Sequence, residues 1–377
     1  MNRAEQYLAA KLNERTQAGT LRSLRTQQGE VDFYSNDYLG LVTTGALAQL
    51  MHPLLFGGTG STGARLLSGN TVFAEALETR IAHFHKAEAA LLFNSGYDAN
   101  IGMLGSIAAR NTTILYDELC HASIIDGIRL ALCNHKFKYR HNDMADLERR
   151  LQQAAPTGSV IVVTESVFSM DGDIAPLAAI AGMCAMYDAQ LVVDEAHATG
   201  VVGDNGEGLV AALGLEKQVL ARVHTYGKAM GCHGAAIVGS TLLRDFLINF
   251  ARSFIYTTAL PGHSLQAISC AYDYLSSPSF SNQPLHDLIA HFRHKIIDAG
   301  MNGWIDSSSA IQALVVGEIE GCRKVGAALR HAGMQVSVIL SPTVAAGSER
   351  LRICLHTYNT TEQIDRLFEI LKTIKHE

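Results

Sequence analysis

The chain has little that could hold a fold together from outside its core. Its seven cysteines (Cys120, Cys133, Cys184, Cys232, Cys270, Cys322 and Cys354) are odd in number, scattered and free of any C-x-x-C pair. That pattern excludes a disulfide framework and a cysteine-built zinc site, and it points to a reducing compartment. A basic excess is missing too: 30 Lys and Arg stand against 36 Asp and Glu, a net charge of −6. Neither a nucleic-acid partner nor an anionic membrane surface finds a complement in that balance. The apolar uncharged run at residues 174–187 contains Pro176 and falls short of the ~20 residues that span a bilayer. The opening segment MNRAEQYLAAKLNERTQ reads as a charged amphipathic helix and lacks the apolar centre of a signal peptide. A cytoplasmic protein is expected. With 48% hydrophobic and 18% charged residues over 377 positions, the chain is globular and long enough for two or three domains.

Two familiar strings fail on context. Residues 58–63 read GTGSTG, a formal dinucleotide fingerprint, yet His52-Pro53 precedes it and a second turn at Ser68-Gly69-Asn70 separates it from the next helix. A Rossmann loop instead follows its strand directly. Residues 194–197 read DEAH, but the only Gly-Lys pair, Gly227-Lys228, is followed by Ala229 and has Arg222 where a phosphate loop needs its first glycine. Neither H-E-x-x-H nor G-x-S-x-G occurs, so zinc-protease and serine-hydrolase chemistry have no support.

Periodicity supplies the organisation. Phe73, Leu77, Ile81 and Phe84 recur at helical spacing, with Asn70 or Thr71 placed to cap that helix. Strand-like runs follow at 89–93, 113–116, 160–164, 191–193, 220–225 and 235–238, and VIVVTE and QLVVDE are apolar on both faces. Such runs alternating with helices predict an α/β fold around a mostly parallel sheet covered by helices. The last hundred residues predict a smaller α+β domain: strands at 311–316, 335–340 and 351–355, a helix over 321–332, and a closing helix from Thr361 with Thr360 and Gln363 as a capping box. The expected division is an N-terminal helix and arm over 1–44, a large domain over 45–263 and a small one over 264–377.

Polar residues gather at the predicted carboxyl ends of strands, where open α/β sheets bind ligands. They are Ser95-Gly96-Tyr97, His121 and Ser123, Glu165 and Ser169, Asp194 and His197, and Thr225 with Lys228. Alone, each has a bland reading as a surface or capping residue, and 16 histidines make chance matches easy. Together they suit pyridoxal phosphate. A strand-end carboxylate such as Asp194 can pair with the pyridine nitrogen, His197 can reach the phenolic oxygen, His121 can stack on the ring, and Lys228 can form the Schiff base. The start of a helix at Gly96 suits the phosphate.

The ordered motifs NDYLG (36–40), LSG (67–69), FNSGY (93–97), DELCHAS (117–123), TESVFSMDG (164–172), VDEAHATG (193–200), TYGKAMG (225–231), IYTTA (255–259) and PTVAAGSERLRI (342–353) extend over nearly the whole chain. In them the chain resembles the α-oxoamine synthases, PLP-dependent transferases of type I fold. The resemblance implies Lys228 as the Schiff-base lysine, Asp194 as the ring partner, and Ser95, Gly96, Tyr97, His121, Glu165, Ser169, His197 and Thr225 around the cofactor. It further implies a homodimer with shared sites, in which Thr257 and Thr258 serve the partner's phosphate, and no metal. Substrate contacts are expected from Asn36, Arg22 and Arg352, with Arg350 the alternative to Arg352. The segments FAR (250–252) and SAIQ (309–312) look most like the biotin-pathway branch, which joins L-alanine to a pimeloyl thioester, on CoA or a carrier protein, with loss of CO₂. A branch that acetylates glycine is the runner-up, a serine-using branch comes third, and a non-catalytic binding protein is the reading from another class.

Overall fold

The computed structural model describes residues 2–24, 26, 29–51, 60–154 and 158–375. In chain order the strands are β1 (Val31–Phe33), β2 (Ala89–Phe93), β3 (Thr113–Asp117), β4 (His135–Tyr139), β5 (Val160–Glu165) and β6 (Ala189–Asp194). They continue as β7 (Ala221–Thr225), β8 (Ala235–Gly239), β9 (Ile311–Val315), β10 (Met334–Ile339) and β11 (Arg350–Cys354). The chain divides into two compact units.

The larger unit comprises Asn36–Ser169 and Ile174–Leu285. Its seven-stranded sheet runs β2-β8-β7-β6-β5-β3-β4. Only β8 opposes its neighbours; every other pairing is parallel. Alternation along β5 explains its unbroken apolar run. Ile161 and Val163 enter one core with Met103, Ile124 and Ile128, while Val160 and Val162 enter a second core with Leu147, Leu151 and Ile180. Successive side chains point to opposite faces, so a strand covered on both sides has no position for a polar residue until its end. Cutting a fully buried Leu191 to Ala would cost about 2–5 kcal/mol.

The helix Val72–Phe84 forms as expected, and the choice of cap is resolved: Thr71 accepts from Ala74 N at 3.1 Å. Asn70 instead bonds Arg65 and Glu75. Gly58 and Thr59 of the GTGSTG segment, like His52 and Pro53, lie outside the described residues.

The smaller unit comprises residues 1–35, Met170–Asp173 and His286–Glu377. Its sheet runs β1-β10-β11-β9, with β1 parallel to β10 and the other pairs antiparallel. Pairing of Val31 with Met334 is why the N-terminal segment belongs with the C-terminal one. The helix Gly262–Leu275 packs within the larger unit, against the helices Ala46–Met51 and Val72–Phe84. The chain therefore crosses to the smaller unit after Leu285, beyond the expected limit at 263.

The closing helix Thr361–Lys375 buries Ile364, Leu367, Phe368 and Leu371. Its capping box is reciprocal, with Gln363 N donating to Thr360 Oγ1 at 3.3 Å and Thr360 N to Gln363 Oε1 at 3.1 Å. The first helix, Arg3–Gln17, buries none of its residues. Among the described residues no helix is long and apolar enough to cross a membrane.

Candidate active site

The carboxyl ends of β3, β5, β6 and β7 border a cavity of about 210 Å³ in the larger unit. Asp194, the last residue of β6, sits at its floor and is 6% exposed. Its two oxygens are oriented separately: Oδ1 accepts from Ala196 N at 2.9 Å and Oδ2 from Asn100 Nδ2 at 2.7 Å. Asn100 reaches it from the helix Gly96–Ile107, whose buried face also carries Ala99, Met103 and Leu104.

His121 ends the loop after β3 and caps the helix Ala122–Leu130. Its Nδ1 accepts from Ser123 N at 3.2 Å and lies 2.8 Å from Ser123 Oγ, so the ring proton belongs on Nε2. Burial lowers its pKa, opposed by Asp194 and assisted by Lys228, which favours a neutral imidazole. The backbone N–H of His121 donates to Glu165 Oε1 at 2.5 Å. Burial pushes the Glu165 carboxyl well above the usual carboxylate range, and the neighbouring Asp194 charge adds to the shift.

His197 follows β6 by three residues. Its Nδ1 lies 2.8 Å from Tyr38 OH, which donates in turn to Asn36 Oδ1 at 3.0 Å. Asn36 thus joins the site through Tyr38.

At the opposite edge, Ser95 caps the helix Gly96–Ile107 through Asp98 N at 3.1 Å. The first N–H groups of a helix find no acceptor within it. Gly96 and Tyr97 occupy those positions and both line the cavity. A Cβ on Gly96 would collide with the methyl group of Thr225, so only glycine allows the helix start to approach β7 this closely.

Thr225 ends β7, and Lys228 lies in the turn that leads back into β8. Tyr226 N donates to Gly234 O at 3.0 Å, Cys232 N to Tyr226 O at 2.7 Å and Gly231 N to Lys228 O at 2.9 Å. These bonds fix the backbone on both sides of the half-buried lysine.

One cavity therefore collects Ser95, Gly96, Tyr97, His121, Glu165, Asp194, His197, Thr225 and Lys228. Ser169 is buried beyond β5 and is not among the lining residues. Thr257 and Thr258 border a second cavity with Arg65 and Gly69; there Asn94 Nδ2 bonds Thr257 Oγ1 at 3.0 Å and Thr258 O at 2.8 Å. Arg22 and Arg352 belong to the smaller unit. Arg22 Nη2 donates to Thr343 Oγ1 at 3.1 Å. Arg352 is buried on β11 with Nη1 3.0 Å from Cys354 Sγ. Arg350, two residues earlier, is ion-paired with Asp171. Two positions that contact the candidate site residues, Asn100 at Asp194 and Tyr38 at His197, escaped sequence reasoning. Asn100 was detectable as a polar residue on the apolar side of a helix, whereas Tyr38 sat in a quoted motif without a role.

A model of the aminotransferase class I and II family matches residues 28–371. The chain belongs to that family. Within it, the chain is 40% identical to 8-amino-7-oxononanoate synthase of Emericella nidulans, over 91% of this chain and 89% of that one. It is 38% identical to 8-amino-7-oxononanoate synthase of Marinobacter nauticus, over 96% and 95%. Among solved structures, an SPT variant with PLP superposes with a TM-score of 0.85 at 25% identity, over 98% and 97% of the two chains. The aminotransferase family's type I fold accounts for the mixed sheet and its single antiparallel strand. The cavity's donor set suits pyridoxal phosphate: one amine, one oriented carboxylate, two imidazoles with their Nδ1 atoms engaged, and a helix start without room for a side chain at Gly96.

Proposed function

We propose that the chain uses pyridoxal phosphate to condense L-alanine with a pimeloyl thioester, on CoA or a carrier protein, releasing CO₂ and forming 8-amino-7-oxononanoate. The observation that carries this reading is the joint lining of one cavity by Asp194, His197, His121 and Lys228. Relatives 38–40% identical and named for that product support the substrate choice.

In this reading Lys228 holds the cofactor through its amine, Asp194 partners the ring nitrogen, His197 the phenolic oxygen, and His121 covers the ring face. Ser95, Gly96, Tyr97 and Thr225 surround the phosphate, and Glu165 fixes the backbone of His121. Ser169 supports that shell from beyond β5. When bound, the cofactor supplies an electron sink for the amino acid's α-carbon. The chain's own task is then proton transfer and placement. Lys228 Nζ moves the α-proton, and the guanidinium of Arg352 holds the α-carboxylate with a two-pronged fork. Engagement of Arg350 with Asp171 supports Arg352 for that task. Asn36 and Arg22 are proposed as further substrate contacts.

Thr257 and Thr258 are proposed to serve the partner's phosphate in a homodimer, a reading supported by their separation into a cavity without Lys228. Seven free cysteines support a reducing, cytoplasmic setting.

The test supplies L-alanine, glycine and L-serine separately to the purified protein with PLP, and assays acyl thioesters of graded length with each. The expected result is kcat/KM for alanine plus pimeloyl thioester more than tenfold above glycine plus acetyl-CoA, about 1.4 kcal/mol of transition-state preference. The reverse order would make this a glycine acetyltransferase. Preference for serine with a long acyl chain would favour the second reading that the SPT structures suggest.

A further inference from the structure

Behind the cavity, on the opposite face of β6 and β7, lies a fully buried group of ionisable side chains. Alternation sends Asp194 toward the helix Gly96–Ile107 and sends Glu195, Arg222 and His224 the other way. Glu195 N donates to Val223 O at 2.8 Å, which sets Glu195 opposite His224, with Arg222 two residues back on the same face. The three are 0%, 2% and 0% exposed.

Glu195 and His224 are partly engaged. Glu195 Oε1 accepts from Val210 N at 3.0 Å. His224 Nδ1 lies 2.9 Å from Thr199 Oγ1, and its ring stacks on His85 at 3.7 Å. Each of the three keeps one buried atom without a partner: Glu195 Oε2, Arg222 Nη1 and His224 Nε2. Buried polar atoms are paired in the great majority of cases, and a single one left over is costly. Three on adjacent positions of one face, an acceptor, a donor and an imidazole nitrogen, match what one water can satisfy. A Cβ on Gly208, whose φ is +103°, would collide with Glu195 Oε2, so only glycine lets the backbone pass against that carboxylate.

We propose that Glu195, Arg222 and His224 enclose an internal water that ties the ends of β6 and β7 together and so positions Asp194 and His197 from the far side of the sheet. The water site stands apart from the chemistry, whereas the positioning role rests on the function proposed above. The charged groups that act on Glu195 are Arg222 and, one residue before it, Asp194; Glu216 acts on Arg222, and His85 and Arg222 act on His224. Burial pushes Glu195 up to about 7 from 4.5, partly offset by the Val210 N–H and then by Arg222. The folded state therefore holds more protons than the unfolded one between those values, and this group's contribution to stability falls as pH rises through that window.

Two experiments test the proposal. A crystal structure of the holoenzyme should show an ordered water within about 3.2 Å of all three atoms; direct closure of Glu195 on Arg222 with no water between them overturns the site. Glu195→Gln should flatten the decline of the unfolding midpoint between pH 4.5 and 7 and lower kcat several-fold at unchanged KM for alanine, with a shifted cofactor absorption band. An unchanged band and unchanged kcat overturn the positioning role. If Glu195→Gln does not fold, Arg222→Lys, which keeps a donor, should retain the water and the band, and loss of the water there overturns the site. Because the water and the unfolding profile are read without substrate, failure here is distinguishable from failure of the proposed reaction.

Discussion

The side-chain amide of Asn100 meets the Asp194 carboxylate at 2.7 Å and, through the same nitrogen, Ser123 Oγ at 3.0 Å. Ser123 in turn holds His121. One helix residue therefore orients both the strand-end carboxylate proposed to partner the ring nitrogen and the imidazole proposed to cover the ring face. A hydrogen bond to a charged group contributes about 1.5–3 kcal/mol. Asn100→Ala should weaken cofactor binding by about ten- to a hundredfold on that scale. Fluorescence titration of the apoprotein with PLP measures it, and an unchanged dissociation constant would show that Asp194 needs no such support.

Lys228→Ala and Asp194→Asn should fail in different ways. Without the lysine amine, turnover falls to background and the visible absorption band of the bound cofactor is lost. With asparagine at 194 the fold and some cofactor binding remain while kcat drops by orders of magnitude, because the ring nitrogen loses its charged partner. Substantial turnover by Lys228→Ala would falsify its assignment; normal rates and affinity in Asp194→Asn would reduce that residue to a structural one.

Acid should weaken the fold partly through His85. Fully buried between Glu207 O and Tyr272 OH, its pKa is lowered from 6.5 to about 3, chiefly by burial. The unfolded chain binds the extra proton first, so stability falls as pH drops from about 6.5 toward 3. His85→Gln should lose less stability than the native protein between pH 7 and pH 5 in urea titrations. Parallel losses in both proteins would remove His85 from the account.

Cofactor retention should depend on protein concentration. If Thr257 and Thr258 complete the neighbour's phosphate site, dilution below the dimer dissociation constant releases PLP, and added protein restores it. Light scattering together with the absorption band follows both steps. A fully active, cofactor-loaded monomer is the result that excludes the shared site.

Legibility in the sequence followed burial. β5 and β6 were readable because residues 160–163 and 191–193 are buried on both faces, so each strand carries an unbroken apolar run shortly before Glu165 and Asp194. β4, with the sequence HKFKY, was not: it lies at the sheet edge with one fully buried residue, and charges on an edge strand hide its pattern. β1 is three residues long, too short for any period to show. The reversal of β8 left no trace either, since direction is set by the turn after Lys228 rather than by composition. At the site, the residues proposed to carry the chemistry stood in motifs with an expected role, while of those that aim them Asn100 stood in no motif and Tyr38 stood in one without a role. Their importance lies in partners distant along the chain, Asp194 and His197, which only the fold brings near.

The parallel pairing of β1 with β10 also sets an order of events during synthesis. Val31 must find Met334, and the ribosome needs to add about 300 residues between them. At roughly 5–20 residues per second, that leaves the first strand unpaired for about 15–60 s. β9, β10 and β11 all follow the last strand of the seven-stranded sheet, so the smaller sheet closes only after the larger one has been synthesised. β1 is thus made before every strand of the larger sheet and paired after all of them are made.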